Sequence, residues 1–224
     1  MSLGVSVLDQ YGSGQTASGT SGRFFEMNPP SRAALRSSYR RARRALKPHE
    51  QRANARAVAK HFAATRLMLA FERFAIYWPS DGELDPRPLA RRLLDANKTV
   101  ALPVIGASRT LAFYRYRNDA RFVRNRFDIP EPDTRTETKV PTRTLDVALL
   151  PLVAFDANGH RLGRGGGYYD ATFGAHGRTL LIGVAHEVQR HAALDDRAWD
   201  VPLDGVITEL GARGFTIRAR RFMA

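Results

Sequence analysis

Ten residues, Arg161 to Asp170, hold the densest chemistry in the chain: RLGRGGGYYD sets four glycines among two arginines, two adjacent tyrosines and an aspartate. Glycine lets the backbone take positive φ and lets a ligand approach with no Cβ in the way. Successive N–H groups, and the start of a following helix, favour anionic oxygens. Arg161 and Arg164 add donors for charge-assisted hydrogen bonds. The chemistry this spells is phosphate binding. Two common phosphate loops do not fit: a Walker loop ends Gly-Lys-Ser/Thr, whereas Gly167 is followed by Tyr168, and a dinucleotide fingerprint counted from Gly163 requires glycine at position 168. Asp170 has the oxygen chemistry to hold Mg²⁺ with waters completing the octahedron, and equally the chemistry to cap a helix.

Such a loop needs strands and helices to hold it. LDVALLPLVAF (145–155) is almost wholly apolar, the pattern of a strand covered on both faces of a parallel sheet, and the glycine stretch follows it. YYDATFG (168–174) reads as a helix start, and TLLIGVA (179–185) and DGVITE (204–209) as further strands. Upstream, FAIYWP (74–79), a helix over 86–98 and TVALPVI (99–105) make a βαβ unit; TLAFYRY (110–116) follows as a strand, and the prolines of FDIPEP (127–132) predict an extended loop. Ligands of open parallel sheets sit beyond the carboxyl ends of the strands, where the glycine stretch falls. Ser31 is a candidate cap for a helix over 32–46. There Leu35, Tyr39, Ala42 and Leu46 form an apolar stripe, and Arg32, Arg36, Arg40 and Arg43 a basic one, by themselves the pattern of a solvated face. A second helix, about 50–70, turns Val58, Phe62 and Leu69 inward. The expected architecture is α/β: a three-layer, mostly parallel sheet flanked by helices, with an N-terminal helical arm over 31–70.

Composition narrows the possibilities. The chain has 224 residues, 43% of them hydrophobic, and no apolar run near the ~20 residues that cross a bilayer. It has no cysteine, which excludes disulfides, thiolate metal sites and cysteine nucleophiles. Residues 1–30 lack a secretory pattern, so the expected compartment is the cytoplasm; their Gly/Ser/Thr-rich part (11–22) predicts a flexible leader ahead of one domain over 31–224. The net charge of +13, carried mainly by arginine, implies anionic partners, whether nucleic acid or small phosphorylated and carboxylated molecules. The chain has no recognisable nucleic-acid motif, and the six histidines show no metal-ligand spacing.

LPLVAFDANGHRLGRGGGYYD (150–170) closely resembles the signature of the 5-formyltetrahydrofolate cyclo-ligase (5,10-methenyltetrahydrofolate synthetase) family. RAALRSSYRRARRAL (32–46), YWPSDGELD (77–85), KTVALPVI (98–105), FDIPEP (127–132) and WDVPLDGVITELG (199–211) support it in the same order, so the resemblance spans about 31–211. It implies ATP- and Mg²⁺-dependent closure of 5-formyltetrahydrofolate to 5,10-methenyltetrahydrofolate, giving ADP and phosphate. It also implies that Arg161, Leu162, Gly163, Arg164, Gly165, Gly166, Gly167, Tyr168 and Tyr169 bind ATP. Within that stretch, Arg164 to Tyr168 also face the folate, and Arg164 and Tyr168 are read as the catalytic pair. Asp170 and Asp200 are matched to Mg²⁺, Glu83 to the pterin and Trp78 to the wall of its pocket. Arg32 and Arg36 match an ATP-binding pair whose first member is usually lysine; arginine there keeps the charge and replaces a compact ammonium with a planar fork. Two other functions suit the same residues: a basic nucleic-acid-binding protein, and a sugar-phosphate isomerase-like α/β enzyme, since fold alone does not fix chemistry.

Overall fold

The structure, a computed structural model, describes residues 30–106, 108–174 and 177–223. The leader expected over 1–30 lies outside them apart from Pro30. Ser31 caps α1 (Arg32–Ala45): its Oγ accepts from Ala34 N at 3.2 Å. α2 (Pro48–Ala64) starts on a proline, whose missing N–H costs nothing in a first turn, and α3 (Leu67–Ala70) is a separate turn. The single helix expected over 50–70 is thus broken at Thr65, where the backbone is extended. Val58 and Phe62 point inward as expected, but Leu69, beyond the break, is 84% exposed.

β1 (Arg73–Ala75), α4 (Arg87–Asp95) and β2 (Thr99–Ile105) form the expected βαβ unit, with β1 and β2 parallel. β3 (Leu111–Arg115) runs back antiparallel to β2. β4 (Phe122–Arg124) and β5 (Pro130–Pro132) pair as a small antiparallel ribbon. The 127–132 stretch therefore holds a strand where prolines predicted only a loop. Proline is tolerated because each strand of this two-stranded ribbon has one unpaired side. β6 (Lys139–Val140) pairs with β3.

The apolar run 145–155 is two strands, not one. β7 (Val147–Leu150) ends at Pro151, and β8 (Ala154–Phe155) folds back with β9 (Arg161–Leu162) as a hairpin. α5 (Tyr168–Phe173), β10 (Leu180–Val184) and β11 (Gly205–Thr208) follow as anticipated. β12 (Gly211–Gly214) and α6 (Ile217–Met223) were not foreseen; only four and seven residues long and rich in arginine and glycine, they carry no clear apolar period.

The main sheet has the order β12-β11-β10-β7-β1-β2-β3-β6. β11, β10, β7, β1 and β2 are parallel, while β12, β3 and β6 join antiparallel. Side chains alternate between the two faces. Val147 and Leu149 pack with Phe62, Leu89 and Leu93 under α2 and α4, and Ala148 and Leu150 pack with Phe113 and Phe173 on the α5 side. Each fully buried leucine or phenylalanine contributes about 1.5–3 kcal/mol to holding these layers. Among the described residues, no helix is long and apolar enough to cross a membrane.

Candidate active site

The carboxyl ends of β7, β1 and β2 open into a cavity of about 620 Å³. One end is built from Arg32, Arg36, Arg161, Asp170, Asp200 and the glycine turn, the other from Trp78, Ser80, Glu83, Ile105, Leu111 and the β4–β5 ribbon. The glycine turn leaves from hairpin strand β9, not directly from sheet strand β7 as the sequence suggested. Gly165 (φ 101°) and Gly167 (φ 69°) take the left-handed backbone that side chains resist. α5, which Gly167 starts, is only six residues long. Turn amides and neighbouring arginines, more than a long helix dipole, thus supply the positive field.

Arg36 Nε donates to Gly163 O at 2.9 Å, tying α1 to this turn. Arg161 is buried; its Nε donates to Val201 O (3.1 Å) and its NH2 pairs with Asp170 Oδ1. Burial lowers the Arg161 proton affinity, and the Asp170 and Asp200 carboxylates oppose that shift. Arg32 pairs with Asp200 Oδ2 at 2.6 Å. Arg164 crosses the cavity: its NH1 donates to Ser80 Oγ (2.7 Å) and lies 3.8 Å from Glu83 Oε1.

Glu83, 8% exposed, is held by Ser80 N (3.1 Å) and Ser80 Oγ (3.4 Å) through Oε2, while Oε1 has no hydrogen-bond partner among the described residues. Burial pushes its proton affinity up, with Arg43, Arg164 and Ser80 opposing. Such an atom suits a ligand that brings its own donors. Trp78 packs against Phe122 of β4 (centroids 4.9 Å apart) and completes that wall.

The donor set also fits a small hard cation. Asp170 and Asp200 both face the cavity, and each spends one oxygen on an arginine, Oδ1 and Oδ2 respectively. Two carboxylates without a full protein cage is the usual provision for Mg²⁺, which keeps waters and phosphate oxygens in its shell. Among the described residues, no group of three or more His, Cys, Asp or Glu is placed to hold a metal alone.

All the residues matched in the sequence to ATP, folate or Mg²⁺ line this cavity except Leu162. Next to Arg161 on a two-residue strand, Leu162 points the other way and packs with Tyr39, Val153, Ala154 and Leu194. Sequence reasoning missed Ser80, Asn125, Ile129, Glu131, Arg197 and Trp199 in the lining. Their signal was present in the SDGE, RNRFDIPEP and RAWD stretches but was not separable from ordinary loop composition. Phe127 also stands in the wall and is 55% exposed.

A sequence model of the 5-formyltetrahydrofolate cyclo-ligase family matches residues 28–209. The chain belongs to that family. It is 38% identical to the 5-formyltetrahydrofolate cyclo-ligase of Escherichia coli over 173 residues, 75% of this chain and 95% of the relative. To the Haemophilus influenzae cyclo-ligase it is 33% identical over 185 residues, 81% and 99% of the two chains. The solved 5,10-methenyltetrahydrofolate synthetase of Aquifex aeolicus superposes with a TM-score of 0.72 at 31% identity, covering 82% of this chain and 92% of that one. The Mycoplasma pneumoniae synthetase structure shares the fold at 24% identity, with a TM-score of 0.65 and 80% and 99% coverage. As a member of the cyclo-ligase family the chain is a ligase of folate metabolism.

Proposed function

We propose that the chain converts 5-formyltetrahydrofolate to 5,10-methenyltetrahydrofolate, consuming ATP with Mg²⁺ and releasing ADP and phosphate. The observation that carries this reading is one cavity in which a glycine turn and its arginines face a buried carboxylate with an unpartnered oxygen. The first end suits a triphosphate, the second a flat heterocycle with adjacent N–H and amino donors.

In this reading Arg36, Arg161, Arg164 and the amides of 163–167 hold the phosphates, with Arg32 as the forked substitute for a lysine. Glu83 accepts from the pterin edge and Trp78 packs on its ring. Asp170 and Asp200 would hold Mg²⁺, whose contribution is to neutralise charge on the phosphate oxygens. A formyl oxygen is a poor leaving group. It attacks the γ-phosphorus, the bond to the ADP oxygen breaks, and an iminium phosphate forms on N5. N10 then adds to the formyl carbon, loses its proton to water, and phosphate departs with the former formyl oxygen. Such transfer is catalysed mainly by alignment and by charge neutralisation, so no protein nucleophile is required. In this reading Arg164 and Tyr168 serve this step, a role supported by Arg164 reaching from the turn to Ser80 and by the Tyr168 hydroxyl accepting from Arg126. We take residues 31–224 as the catalytic unit and the cytoplasm, with its ATP and reduced folate, as its compartment.

Mixing the protein with 5-formyltetrahydrofolate, ATP and Mg²⁺ should produce the methenyl absorbance band and one ADP per product, and omission of any component should stop both. ADP release that ignores the folate would refute the reading.

A further inference from the structure

Beneath the Ser80–Glu83 turn lies an arginine that the reaction scheme leaves unused. Arg43, near the end of α1, is 0% exposed although it sits in the stripe that sequence reads as solvated. Its Nε donates to Asp81 O (2.9 Å), its NH2 to Asp81 Oδ2 (2.9 Å) and its NH1 to Leu152 O (3.1 Å). NH2 also lies 3.8 Å from Glu83 Oε1. One guanidinium thereby joins α1, the turn that carries Glu83 and the segment entering the β8–β9 hairpin. Gln189 Nε2 braces the same carbonyl, donating to Leu152 O at 2.7 Å. Asp81 holds φ 56°, a conformation a non-glycine residue keeps when its surroundings fix it, and Arg40 adds a 2.7 Å contact to its carboxylate.

We propose that Arg43 is a positioning residue for the folate-binding carboxylate, locking the 80–83 turn and supplying the fixed charge opposite Glu83 Oε1. This rests on the folate reading of Glu83. The groups facing Glu83 are Arg43 from α1, Arg164 from the glycine turn, Ser80 and Asp81 within its own turn, Tyr77 after β1 and Tyr169 from α5; His186 stands behind the turn, beside Gly82. Arg43 and Arg164 are the cations among them that offset the burial of Glu83. A pterin edge is accepted by the carboxylate, so folate affinity is present above the folded-state pKa of Glu83 and lost as pH falls through it. Removing the Arg43 charge moves that loss to higher pH.

The test is calorimetric affinity for 5-formyltetrahydrofolate and, separately, for a non-hydrolysable ATP analogue, over about pH 5 to 9, the range in which buried carboxyls can change charge. In Arg43→Gln the acid limb of folate affinity should move upward in pH. Affinity should fall at every pH because the fork is lost, and on the acid side it should fall further, by up to about tenfold for each unit that the limb moves. ATP-analogue affinity should stay within twofold, about 0.4 kcal/mol at a factor of ten per 1.4 kcal/mol. Arg43→Lys keeps charge without the fork, so folate affinity should drop at every pH with the acid limb unmoved; this variant decides the matter if Arg43→Gln does not fold. A folded Arg43→Gln with the parent's acid limb, or Arg43→Lys with the parent's affinity, overturns the proposal. A parent protein that binds no 5-formyltetrahydrofolate at any pH refutes the functional reading instead.

Discussion

Gly165 and Asp170 show how little side chain the phosphate end tolerates and how much charge it needs. A Cβ on Gly165 would lie 3.7 Å from the Arg36 guanidinium, so space permits alanine but the positive φ does not favour it. Gly165→Ala should therefore cost about 1 kcal/mol or more of backbone strain and raise the KM for ATP, with the far-ultraviolet circular dichroism unchanged; unchanged ATP kinetics would show that this backbone is not a phosphate cradle. Asp170→Asn keeps the contact with Val201 N and removes the charge. Turnover should fall at least a hundredfold, about 2.7 kcal/mol of barrier, at any Mg²⁺ concentration, while the protein stays folded with a lower melting temperature, since buried Arg161 loses its charge partner. Full activity in that variant would remove Asp170 from the metal site. The glycine turn, its arginines and Asp170 were legible as residue types in order, whereas Asp200 entered only through the family resemblance. Arg43 was not, because helical spacing groups it with Arg32 and Arg36, and only the fold shows that the last turn of α1 runs beneath the 80–83 turn.

Between residue and molecule, packing of α2 on the sheet governs stability. Phe62 is fully buried and meets Phe74 edge to face at 6.0 Å between centroids. Phe62→Ala should destabilise by about 3–5 kcal/mol in denaturant unfolding, the usual cost of such a cavity. His186, between β10 and the substrate turn, is buried with Nδ1 against Asn54 Nδ2 at 3.0 Å, and burial lowers its pKa to about 4. The folded protein thus keeps His186 neutral, while the unfolded chain takes up a proton below the ordinary histidine value of about 6.5. Stability is complete above that pH and falls as pH drops toward 4, by up to about 1.4 kcal/mol per unit. His186→Gln should flatten this part of the profile of melting temperature against pH; an unchanged slope would assign the acid sensitivity elsewhere. Strands with continuous apolar runs and the βαβ unit were readable from pattern. The β8–β9 hairpin hid inside such a run, since Val153, Ala154 and Phe155 are as apolar as the sheet strand before them. The short β4–β5, β6 and β12 pieces had too few residues for a period to appear.

Over the whole molecule, a formal charge of +13 surrounds a cavity whose proposed substrates are both anions. The excess should speed and strengthen their capture at low ionic strength. Raising salt from about 0.05 to 0.5 M shortens the screening length several-fold, and the KM for ATP should rise while kcat changes little; a salt-independent KM would confine the electrostatics to the cavity wall. The borders of the main sheet carry a different consequence. At one stands β6, two residues with an exposed Lys139, followed directly by Pro141, which has no N–H to offer; at the other stands β12, four residues bearing Arg213. A strand from a second copy arriving at either border would find a short ladder, a like charge or a missing donor, so the protein is guarded against stacking edge to edge into aggregates when it is concentrated.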